Sequence, residues 1–463
     1  MDTVHPSLAN ILQKLDSFSI QQVLPSQSFP TLTQQTLELA SEIPEGATVL
    51  LKTPNAEQFL AGFLAALGKN CQIFLGNHQW QGQEWEESLE LIYPEIIIQE
   101  TGLEFQRNPL PRKAKTRIMI PTGGSSGKIR FVEHHWSTLK ASVRGFLDYF
   151  QHSMVNCFCV LPLYHVSGFM QFLRSFFTGG RLILQPYKTL EIAWQTQDLE
   201  TLQPLKAIPT QHYFISLVPT QLQRLLNFGA GEWLSQFQAV LLGGAPAWQS
   251  LLAQARDNNI PLALTYGMTE TASQVVTLKP DQFLRGNNSV GKVLPHAKIT
   301  IQGERQEELP VGTVGTIAIA SQSLGLGYYP HNADWNQKQF ITDDLGYFDE
   351  AGYLYIVGRN SRKIISGGEN IFPDEVEAAI LATGVVKDVY VMGIADQEWG
   401  EVVSAIYVPQ NQAIITDMIQ AQLKPRLSSY KIPKQWFAVD RIPRNEQGKV
   451  NAVKVRSLIK SLV

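Results

Sequence analysis

The sequence predicts an α/β protein with a large N-terminal domain of parallel-type sheets and helical crossovers, a β-rich subdomain and a small α+β C-terminal domain. Three observations support this prediction. Buried-strand patterns alternate with helical ones on both sides of residue 120, short β-rich runs punctuated by glycine follow residue 289, and the segment 363–463 carries strands and helices of its own. A chain of 463 residues is also too long for one small core.

The elements of the large domain follow from hydrophobic periodicity. Residues 1–45 suggest helices joined by a polar linker near residues 25–30. A β-α-β unit comes next, with strands at 47–51 and 72–75 and a helix at 56–67 between them. Further strands are predicted at 118–120, 157–162, 182–185, 214–218, 239–242 and 262–266, with helices such as 219–226 and 246–256. In sheets of this kind, ligands bind outside the carboxyl ends of the strands, so polar motifs at those ends are candidate binding residues.

The sequence after residue 289 indicates a subdomain and a second, smaller domain. Residues 290–359 read as the β-rich subdomain, residues 360–362 as a connection, and residues 363–463 as the C-terminal domain, with strands at 389–394 and 404–408. Residues 1–359 together would form the large domain.

Composition excludes several classes of protein. A hydrophobic fraction of 44%, a charged fraction of 17% and a net charge of −3 describe a globular protein and give no bulk electrostatic reason to bind nucleic acid. The three cysteines form no disulfide pattern, which fits a reducing compartment, and Cys157 and Cys159 would pack on one face of a strand. No secretory signal and no apolar run long enough to span a membrane is evident, so we expect a cytoplasmic protein. A homo-oligomer is compatible with the sequence.

A glycine- and hydroxyl-rich loop with two cations follows the strand predicted at 118–120. Glycines let backbone N–H groups turn toward an anion, hydroxyls donate hydrogen bonds, and Lys or Arg adds charge, so the loop has the chemistry of a polyphosphate cradle. It is not a Walker A loop, because only three residues separate Gly123 from Gly127 and Lys128. A Gly/Ser-rich surface turn is the alternative. The loop comprises Thr122, Gly123, Gly124, Ser125, Ser126, Gly127, Lys128, Ile129 and Arg130.

Five further segments complete a pattern. They are Leu-Pro-Leu-Tyr-His-Val-Ser-Gly at 161–168, Gly-Gly-Ala-Pro at 243–246, Tyr-Gly-Met-Thr-Glu-Thr at 266–271, Thr-Asp-Asp at 342–344 with Gly-Arg at 358–359, and Pro-Arg-Asn-Glu-Gln-Gly-Lys at 443–449. With the loop, they occur in the order and approximate spacing of the adenylate-forming superfamily, and the chain resembles that superfamily over residues 115–455. The resemblance implies an enzyme that joins a carboxylate to the α-phosphate of ATP, releases pyrophosphate, and passes the acyl group to a thiol.

The resemblance also implies roles for residues that bind the nucleotide. The loop 122–130 would hold the β- and γ-phosphates, although Gly123, Ile129 and Arg130 replace the Ser, Pro and Lys usual in the family. Glu270 would position Mg²⁺, a hard cation that suits carboxylate oxygens. Further roles implied are an α-phosphate contact for Thr269, stacking near adenine for Tyr266, close backbone approach at Gly243, Gly244 and Ala245, ribose binding for Asp344, and assistance on the ribose or phosphate side for Arg359.

Other implied roles concern the acid and the second half-reaction. Lys449 would bridge the substrate carboxylate and the α-phosphate, and His165 would lie between the acyl pocket and ATP, the alternative for His165 being a satisfied core histidine. The small domain of the superfamily rotates to admit CoA, and Arg362 aligns with the pivot, where a polar exposed side chain would suit a changing backbone. Gly367 and Gly368 would line a pantetheine tunnel, or form only a hairpin turn.

Within the superfamily, the residues of these motifs resemble those of the 2-succinylbenzoate–CoA ligases of menaquinone and phylloquinone biosynthesis. Such a substrate keeps a second carboxylate after activation, which an apolar pocket cannot hold unpaired. Arg174, nine residues past His165, is the candidate counter-ion, with Gly267, Ser273 and Gln274 as further substrate contacts. A surface helix charge is the alternative for Arg174. Two other functions stay open, a CoA ligase for another aromatic or medium-chain acid and a non-catalytic binding protein on the same fold.

Overall fold

The computed structural model describes residues 6–24, 27–28, 32–106, 116–123, 129–330, 335, 339–397, 399–411, 414–444 and 450–460. The first third contains α1 (Leu8–Leu15), β1 (Ser19–Gln22), β2 (Gln27–Ser28), α2 (Leu32–Glu42), β3 (Thr48–Leu51), α3 (Ala56–Gly68), β4 (Gln72–Leu75), α4 (Gly82–Ile92), β5 (Ile96–Gln99), β6 (Gly102–Phe105), β7 (Arg117–Gly123) and β8 (Ile129–His134).

The middle of the chain continues the alternation of helices and strands. It contains α5 (Trp136–Phe150), β9 (Asn156–Cys159), α6 (Val166–Thr178), β10 (Arg181–Leu184), α7 (Tyr187–Thr196), α8 (Leu199–Lys206), β11 (Tyr213–Leu217), α9 (Pro219–Asn227), α10 (Gly231–Ser235), β12 (Ala239–Leu242), α11 (Gln249–Asp257), β13 (Leu262–Met268), β14 (Ser273–Thr277), α12 (Pro280–Leu284) and β15 (Lys292–Val293).

The last third is richer in strands. It contains β16 (Ala297–Gln302), β17 (Gly315–Ser321), β18 (Gly327–Tyr329), β19 (Phe340–Phe348), β20 (Leu354–Arg359), β21 (Ile364–Ser366), β22 (Glu369–Ile371), α13 (Pro373–Leu381), β23 (Val386–Asp396), β24 (Gly400–Pro409), α14 (Thr416–Leu423), β25 (Gln435–Ala438) and α15 (Ala452–Lys460).

Two large sheets form the N-terminal part, as the β-α-β spacing predicted. The first has the order β15-β14-β13-β12-β11-β9-β10-β1-β2 and is parallel from β13 through β1. The second has the order β18-β8-β7-β4-β3-β5-β6 and is parallel from β7 through β5. Parallel strands require crossover connections, and helices provide them here.

The main core lies between these sheets. Helices α3, α5 and α6 contribute buried side chains to one cluster together with strands of both sheets. Cys157 and Cys159 face this cluster, whereas Phe158 between them faces the cluster on the opposite side of the first sheet. The predicted packing role of the two cysteines is therefore confirmed. Helices α3, α5 and α6 form a layer that the two large sheets cover, one on each side.

The N-terminal prediction was partly wrong. Residues 19–22 form β1, which pairs in parallel with β10, rather than belonging to a helix or a polar linker. In β1 the side chain of Ile20 is buried while those of Ser19 and Gln21 are exposed. A four-residue segment with one buried apolar side chain gives too weak an alternation to be recognised, so backbone pairing with β10 decides its conformation.

The glycine-rich region and the C-terminal segment each form a sheet. Strands β16, β17, β19 and β20 make an antiparallel sheet, and β18 leaves it to pair with β8 of the second large sheet. Strands β22, β21, β24, β23 and β25 make the C-terminal sheet, which has its own apolar core with α13 and α14. In the described ranges, every helix is too short or too polar to cross a bilayer.

Candidate active site

The predicted phosphate loop joins two paired strands. β7 and β8 are antiparallel, with Thr122 opposite Arg130 and Gly123 opposite Ile129. Arg117 at the base of the hairpin donates a hydrogen bond and forms an ion pair with Glu133, which fixes the two strands. Gly124, Ser125, Ser126, Gly127 and Lys128 lie outside the described residues.

Tyr266, Asp344 and Arg359 meet, although they come from different parts of the chain. The Tyr266 hydroxyl donates to Oδ2 of Asp344 at 2.8 Å, and Arg359 Nε donates to Oδ1 at 3.2 Å. Thr342 Oγ1 accepts from the backbone N–H of Asp344 at 3.0 Å, so Tyr266 and Arg359 hold the carboxylate while Thr342 holds the backbone that carries it. Burial raises the pKa of the Tyr266 hydroxyl, and the negative charge of Asp344 adds to the effect. The Tyr266 hydroxyl therefore keeps its proton at neutral pH and donates it in the hydrogen bond to Asp344.

The Thr-Glu-Thr segment is a short 3-10 turn at the carboxyl end of β13. The Glu270 side chain is buried and accepts a hydrogen bond from the Tyr328 hydroxyl at 2.6 Å. The guanidinium carbon of Arg130 lies 6.0 Å from the centre of the Tyr328 ring. Tyr328 therefore links the predicted metal-binding glutamate to the end of the phosphate loop.

Sequence reasoning missed His134, which supports Thr269. His134 is fully buried on β8, and its Nε2 donates to the Thr269 carbonyl oxygen at 2.8 Å. Its Nδ1 lies 3.0 Å from Thr138 Oγ1, and burial lowers the pKa of the imidazole to about 4. The ring is therefore neutral near pH 7 and orients the turn. A histidine in an apolar strand is a weak signal, because nothing in the sequence shows that β8 faces this turn.

Arg174 is buried to 2% exposure on α6, so the alternative of a surface charge is excluded. Its Nη2 donates to Ser273 Oγ at 3.1 Å and to Gln274 Oε1 at 3.3 Å, and its guanidinium carbon lies 4.3 Å from the centre of the Phe146 ring. Burial lowers the pKa of Arg174 to about 10, which leaves it charged at neutral pH. None of the ion pairs between described residues includes Arg174.

His165 precedes the helix that carries Arg174. It is the N-cap residue of α6, is half-buried, and its ring centre lies 4.3 Å from that of Tyr164. One rigid helix thus connects the predicted gate to the buried cation.

Two glycines explain how the strand ends come together. A Cβ on Gly267 would lie 2.1 Å from the Ser273 carbonyl oxygen, so only glycine allows β13 and β14 to approach there. Gly244 has φ of +81°, and Gly243 and Ala245 flank it directly after β12. Because β12 and β13 are parallel neighbours, their motifs lie at one edge of the first sheet.

Two features predicted from the sequence lie near the connection at residues 360–362. Gly367 and Gly368 form the turn of the β21–β22 hairpin, with φ of +58° and +87°. The expectation that Arg362 is exposed was wrong, because its side chain is 27% exposed and forms ion pairs with Asp374 at 2.7 Å and Glu377 at 2.6 Å. Lys449 lies outside the described residues, between β25 and α15.

Comparison with known proteins places this geometry in context. Residues 35–329 match the family model of the AMP-binding enzymes, and residues 375–449 match that of the AMP-binding enzyme C-terminal domain. A 2-succinylbenzoate–CoA ligase of Listeria monocytogenes is 35% identical over 352 residues, which are 74% of this chain and 70% of that protein.

Solved structures agree with the fold. The o-succinylbenzoate CoA synthetase of Bacillus subtilis in complex with its acyl-adenylate intermediate superposes with a TM-score of 0.83 at 24% identity, covering 96% of this chain and 97% of that one. The same protein in complex with ATP and magnesium gives 0.82 at 25% identity, covering 97% and 98%. With its two matching segments and this relative from Listeria, the chain belongs to the AMP-binding enzyme family.

Proposed function

We propose that this chain is an AMP-forming CoA ligase that joins 2-succinylbenzoate to CoA through an acyl-adenylate, in menaquinone or phylloquinone biosynthesis. The observation that carries the choice of acid is the charged, fully buried Arg174 with no carboxylate partner among the described side chains. An isolated buried charge is costly and is retained where something of opposite charge binds.

Arg174 also has the right neighbours for this role. Both acceptors of its Nη2, Ser273 and Gln274, directly follow the turn that carries Thr269 and Glu270. A dicarboxylate with one end at the reacting phosphate would need a cation for the other end close to this turn. The names of the curated relatives support the same acid.

For the first half-reaction, we assign the nucleotide to the edge formed by β12, β13 and the β7–β8 hairpin. Asp344 would accept hydrogen bonds from the ribose hydroxyls, with Tyr266 and Arg359 holding its carboxylate in place. The hairpin loop and Arg130 would hold the outer phosphates. In the resulting step, a carboxylate oxygen of the acid bonds to the α-phosphorus and the bond to the pyrophosphate oxygen breaks.

Glu270 is the residue that would help to hold a magnesium ion in this site. In the described part of the chain, no group of three or more His, Cys, Asp or Glu side chains could hold a metal by itself. Glu270 is buried and held by Tyr328, so it can supply one oriented carboxylate oxygen. When bound, the ion would offset the negative charge of the phosphates.

The second half-reaction would use the small domain. The CoA thiol attacks the acyl carbonyl carbon and AMP leaves. Gly367 and Gly368 would leave room for the pantetheine arm beside the hairpin turn, and Lys449 would serve only the first half-reaction, where its charge bridges the acid and the α-phosphate. The domain limits of 1–359 and 363–463, with a hinge at 360–362, are part of this proposal.

The partners of the enzyme would be small molecules, namely the acid, ATP and CoA, without nucleic acid. The cytoplasm is the proposed compartment because ATP and CoA are available there. A homo-oligomer stays a prediction.

The test is pyrophosphate release with ATP, Mg²⁺ and CoA, comparing 2-succinylbenzoate with benzoate and octanoate. Strong preference for the dicarboxylate supports the proposal. Turnover of the monocarboxylates alone would favour a ligase for another acid. If none of the three acids supports pyrophosphate release, a binding protein would be favoured. As a second measurement, Arg174→Ala should raise the KM for the acid far more than the KM for ATP, and equal increases would contradict the assignment of Arg174.

A further inference from the structure

The connection between β17 and β18 is hydrogen-bonded to the Thr-Glu-Thr turn. Ser323 Oγ donates to the carbonyl oxygen of Thr271 at 2.8 Å, and the backbone N–H of Gly325 donates to the carbonyl oxygen of Glu270 at 2.8 Å. Both Ser323 and Gly325 are buried. The chain that leaves the β-rich subdomain therefore fixes the backbone of the turn that carries the predicted metal-binding glutamate.

The same connection continues directly into the β7–β8 hairpin. The N–H of Leu326 donates to the carbonyl oxygen of Glu133 on β8 at 2.7 Å, and in the β18–β8 pairing Tyr328 lies opposite Val132. Strand β8 begins at Ile129, three residues before Val132. The backbone of Tyr328 therefore has a fixed place relative to the strand that follows the predicted phosphate loop.

The side chain of Tyr328 spans from this strand to the turn. Its hydroxyl donates to Oε1 of Glu270 at 2.6 Å, a separation typical of a hydrogen bond to an ionised carboxylate. Its half-buried ring packs edge-on against Trp335, with 5.3 Å between the ring centres. Within the described ranges, Oε2 of Glu270 accepts no hydrogen bond. One carboxylate oxygen is thus held by the protein and the other is left for a ligand.

A magnesium ion requires this kind of precision. It takes a near-ideal octahedron of oxygen ligands at about 2.0–2.1 Å, so a protein carboxylate and the nucleotide phosphates must reach it at matched distances. A glutamate side chain has several rotatable bonds and does not keep such a distance unaided. The Tyr328 hydroxyl ties the Glu270 carboxylate to the strand next to the phosphate loop, and so relates the two halves of the coordination sphere.

Resting on the adenylation step proposed above, we propose that Tyr328 is a positioning residue for magnesium, which holds Oε1 of Glu270 at a set distance from the β7–β8 hairpin and directs Oε2 to the ion. Tyr329 provides the comparison. It follows on the same strand, but its ring lies on the opposite side and packs edge-on against Phe74, with 5.1 Å between the ring centres.

The experiment measures metal binding directly on the full-length protein. The probe is Mn²⁺, which prefers the same octahedral oxygen ligands, titrated into the complex with α,β-methylene-ATP while free Mn²⁺ is followed by electron paramagnetic resonance. Tyr328→Phe should raise the apparent Kd for Mn²⁺ about tenfold, the effect of one hydrogen bond to a charged group. The Kd for the nucleotide in EDTA should change less than about twofold, and the Tm should stay near wild type because Phe keeps the contact with Trp335. Tyr329→Phe is the control and should bind Mn²⁺ like wild type.

Glu270→Gln supplies the second comparison. If Tyr328 acts through the carboxylate, adding Tyr328→Phe to Glu270→Gln should change the Kd for Mn²⁺ by less than about twofold. A tenfold further loss in that background would overturn the positioning role. So would an unchanged Kd for Mn²⁺ in Tyr328→Phe, or an equal loss of nucleotide affinity in EDTA, because either result would make Tyr328 a packing residue only.

The outcome for the proposed function is separate, because neither ligand in this titration is the acid. If the wild-type protein binds no Mn²⁺ with the nucleotide, the adenylation step and this inference both fail. If it binds both ligands but does not use 2-succinylbenzoate, only the choice of acid is overturned, and the comparison of Tyr328→Phe with Tyr329→Phe still decides the role of Tyr328.

Discussion

Replacing Arg174 by Met should stabilise the folded protein and at the same time impair binding of the acid. Burial lowers the pKa of Arg174 from 12.5 to about 10. This corresponds to roughly 3 kcal/mol against the charged form in the folded state, present at all pH values below about 10. The substitution removes this cost but also loses two hydrogen bonds, to Ser273 and Gln274, of about 1 kcal/mol each.

The expected net effect on folding is a gain of about 1 kcal/mol in the free energy of unfolding, seen as a small rise in Tm. The expected effect on binding has the opposite sign. A buried charge pair with the substrate would be lost, which typically costs about 2–5 kcal/mol, so the KM for 2-succinylbenzoate should rise about a hundredfold. The KM for ATP should stay within about twofold, and the dicarboxylate should no longer raise the Tm.

Arg256→Met is the matched control. The guanidinium carbon of Arg256 lies 4.2 Å from the centre of the Phe283 ring, but its donors are satisfied by backbone carbonyl groups of Phe283 and Asn287. This control should lower the Tm and leave both KM values unchanged. A fall in the Tm of Arg174→Met, together with equal increases in both KM values, would refute the reasoning, because Arg174 would then be a structural cation.

Three further predictions concern other parts of the site. Tyr266→Phe removes the hydroxyl donor to Asp344 and should raise the KM for ATP about fivefold, the effect of one hydrogen bond, with the KM for the acid unchanged. Lys449→Ala should slow adenylation roughly 10²–10³-fold and spare thioester formation from pre-made acyl-adenylate; equal loss in both would argue against a two-state hinge. The pKa values of His134 and His296 lie near 4 in the folded state, so stability should fall as pH drops from 6.5 to 4, by up to about 3 kcal/mol for each. Chemical denaturation across this range should show the loss of stability, and His296→Gln should recover about half of it. If the free energy of unfolding does not change with pH, the folded-state pKa values of the two rings are close to their unfolded values and the reasoning is wrong.

The sequence predicted the parallel sheets well because their strands are buried on both faces. The strand at 239–242 is a continuous apolar run, and the strand at 72–75 is apolar after Gln72. Both are followed by glycine, and both predictions match the observed limits. Strand β1 was missed because a single apolar residue, Ile20, carries its pattern. Its conformation depends on pairing with a strand more than 150 residues away, which no local signal reports.

For the candidate site, sequence reasoning identified residues but could not identify the contacts between them. It indicated Asp344, Tyr266 and Arg359 separately, yet their shared hydrogen bonds depend on the meeting of two sheets. His134 gave no signal, because it acts through a neighbour distant in sequence. Position 362 was expected to be exposed, since an arginine near a hinge usually is; its burial follows from two acidic residues on α13.

The contacts of Arg362 have a consequence for the balance between orientations of the small domain. Its partners Asp374 and Glu377, the carbonyl of Val391 and the ring of Tyr390 all follow the predicted hinge. A rotation about residues 360–361 would therefore carry Arg362 and its ion pairs along as one rigid body.

Such a rotation would disturb the packing of Phe372 and Asp374 against Gly358 and one exposed hydrogen-bonded side-chain contact. Ser361 bonds to Asp343 through its N–H at 3.0 Å and through its hydroxyl, and both residues are exposed. None of the ion pairs seen between described residues joins 6–359 to 363–460. We therefore expect the two orientations to differ by only a few kcal/mol. Exchange of one nucleotide or thiol ligand for the next could then invert their populations, because each tenfold difference in affinity shifts the equilibrium by about 1.4 kcal/mol.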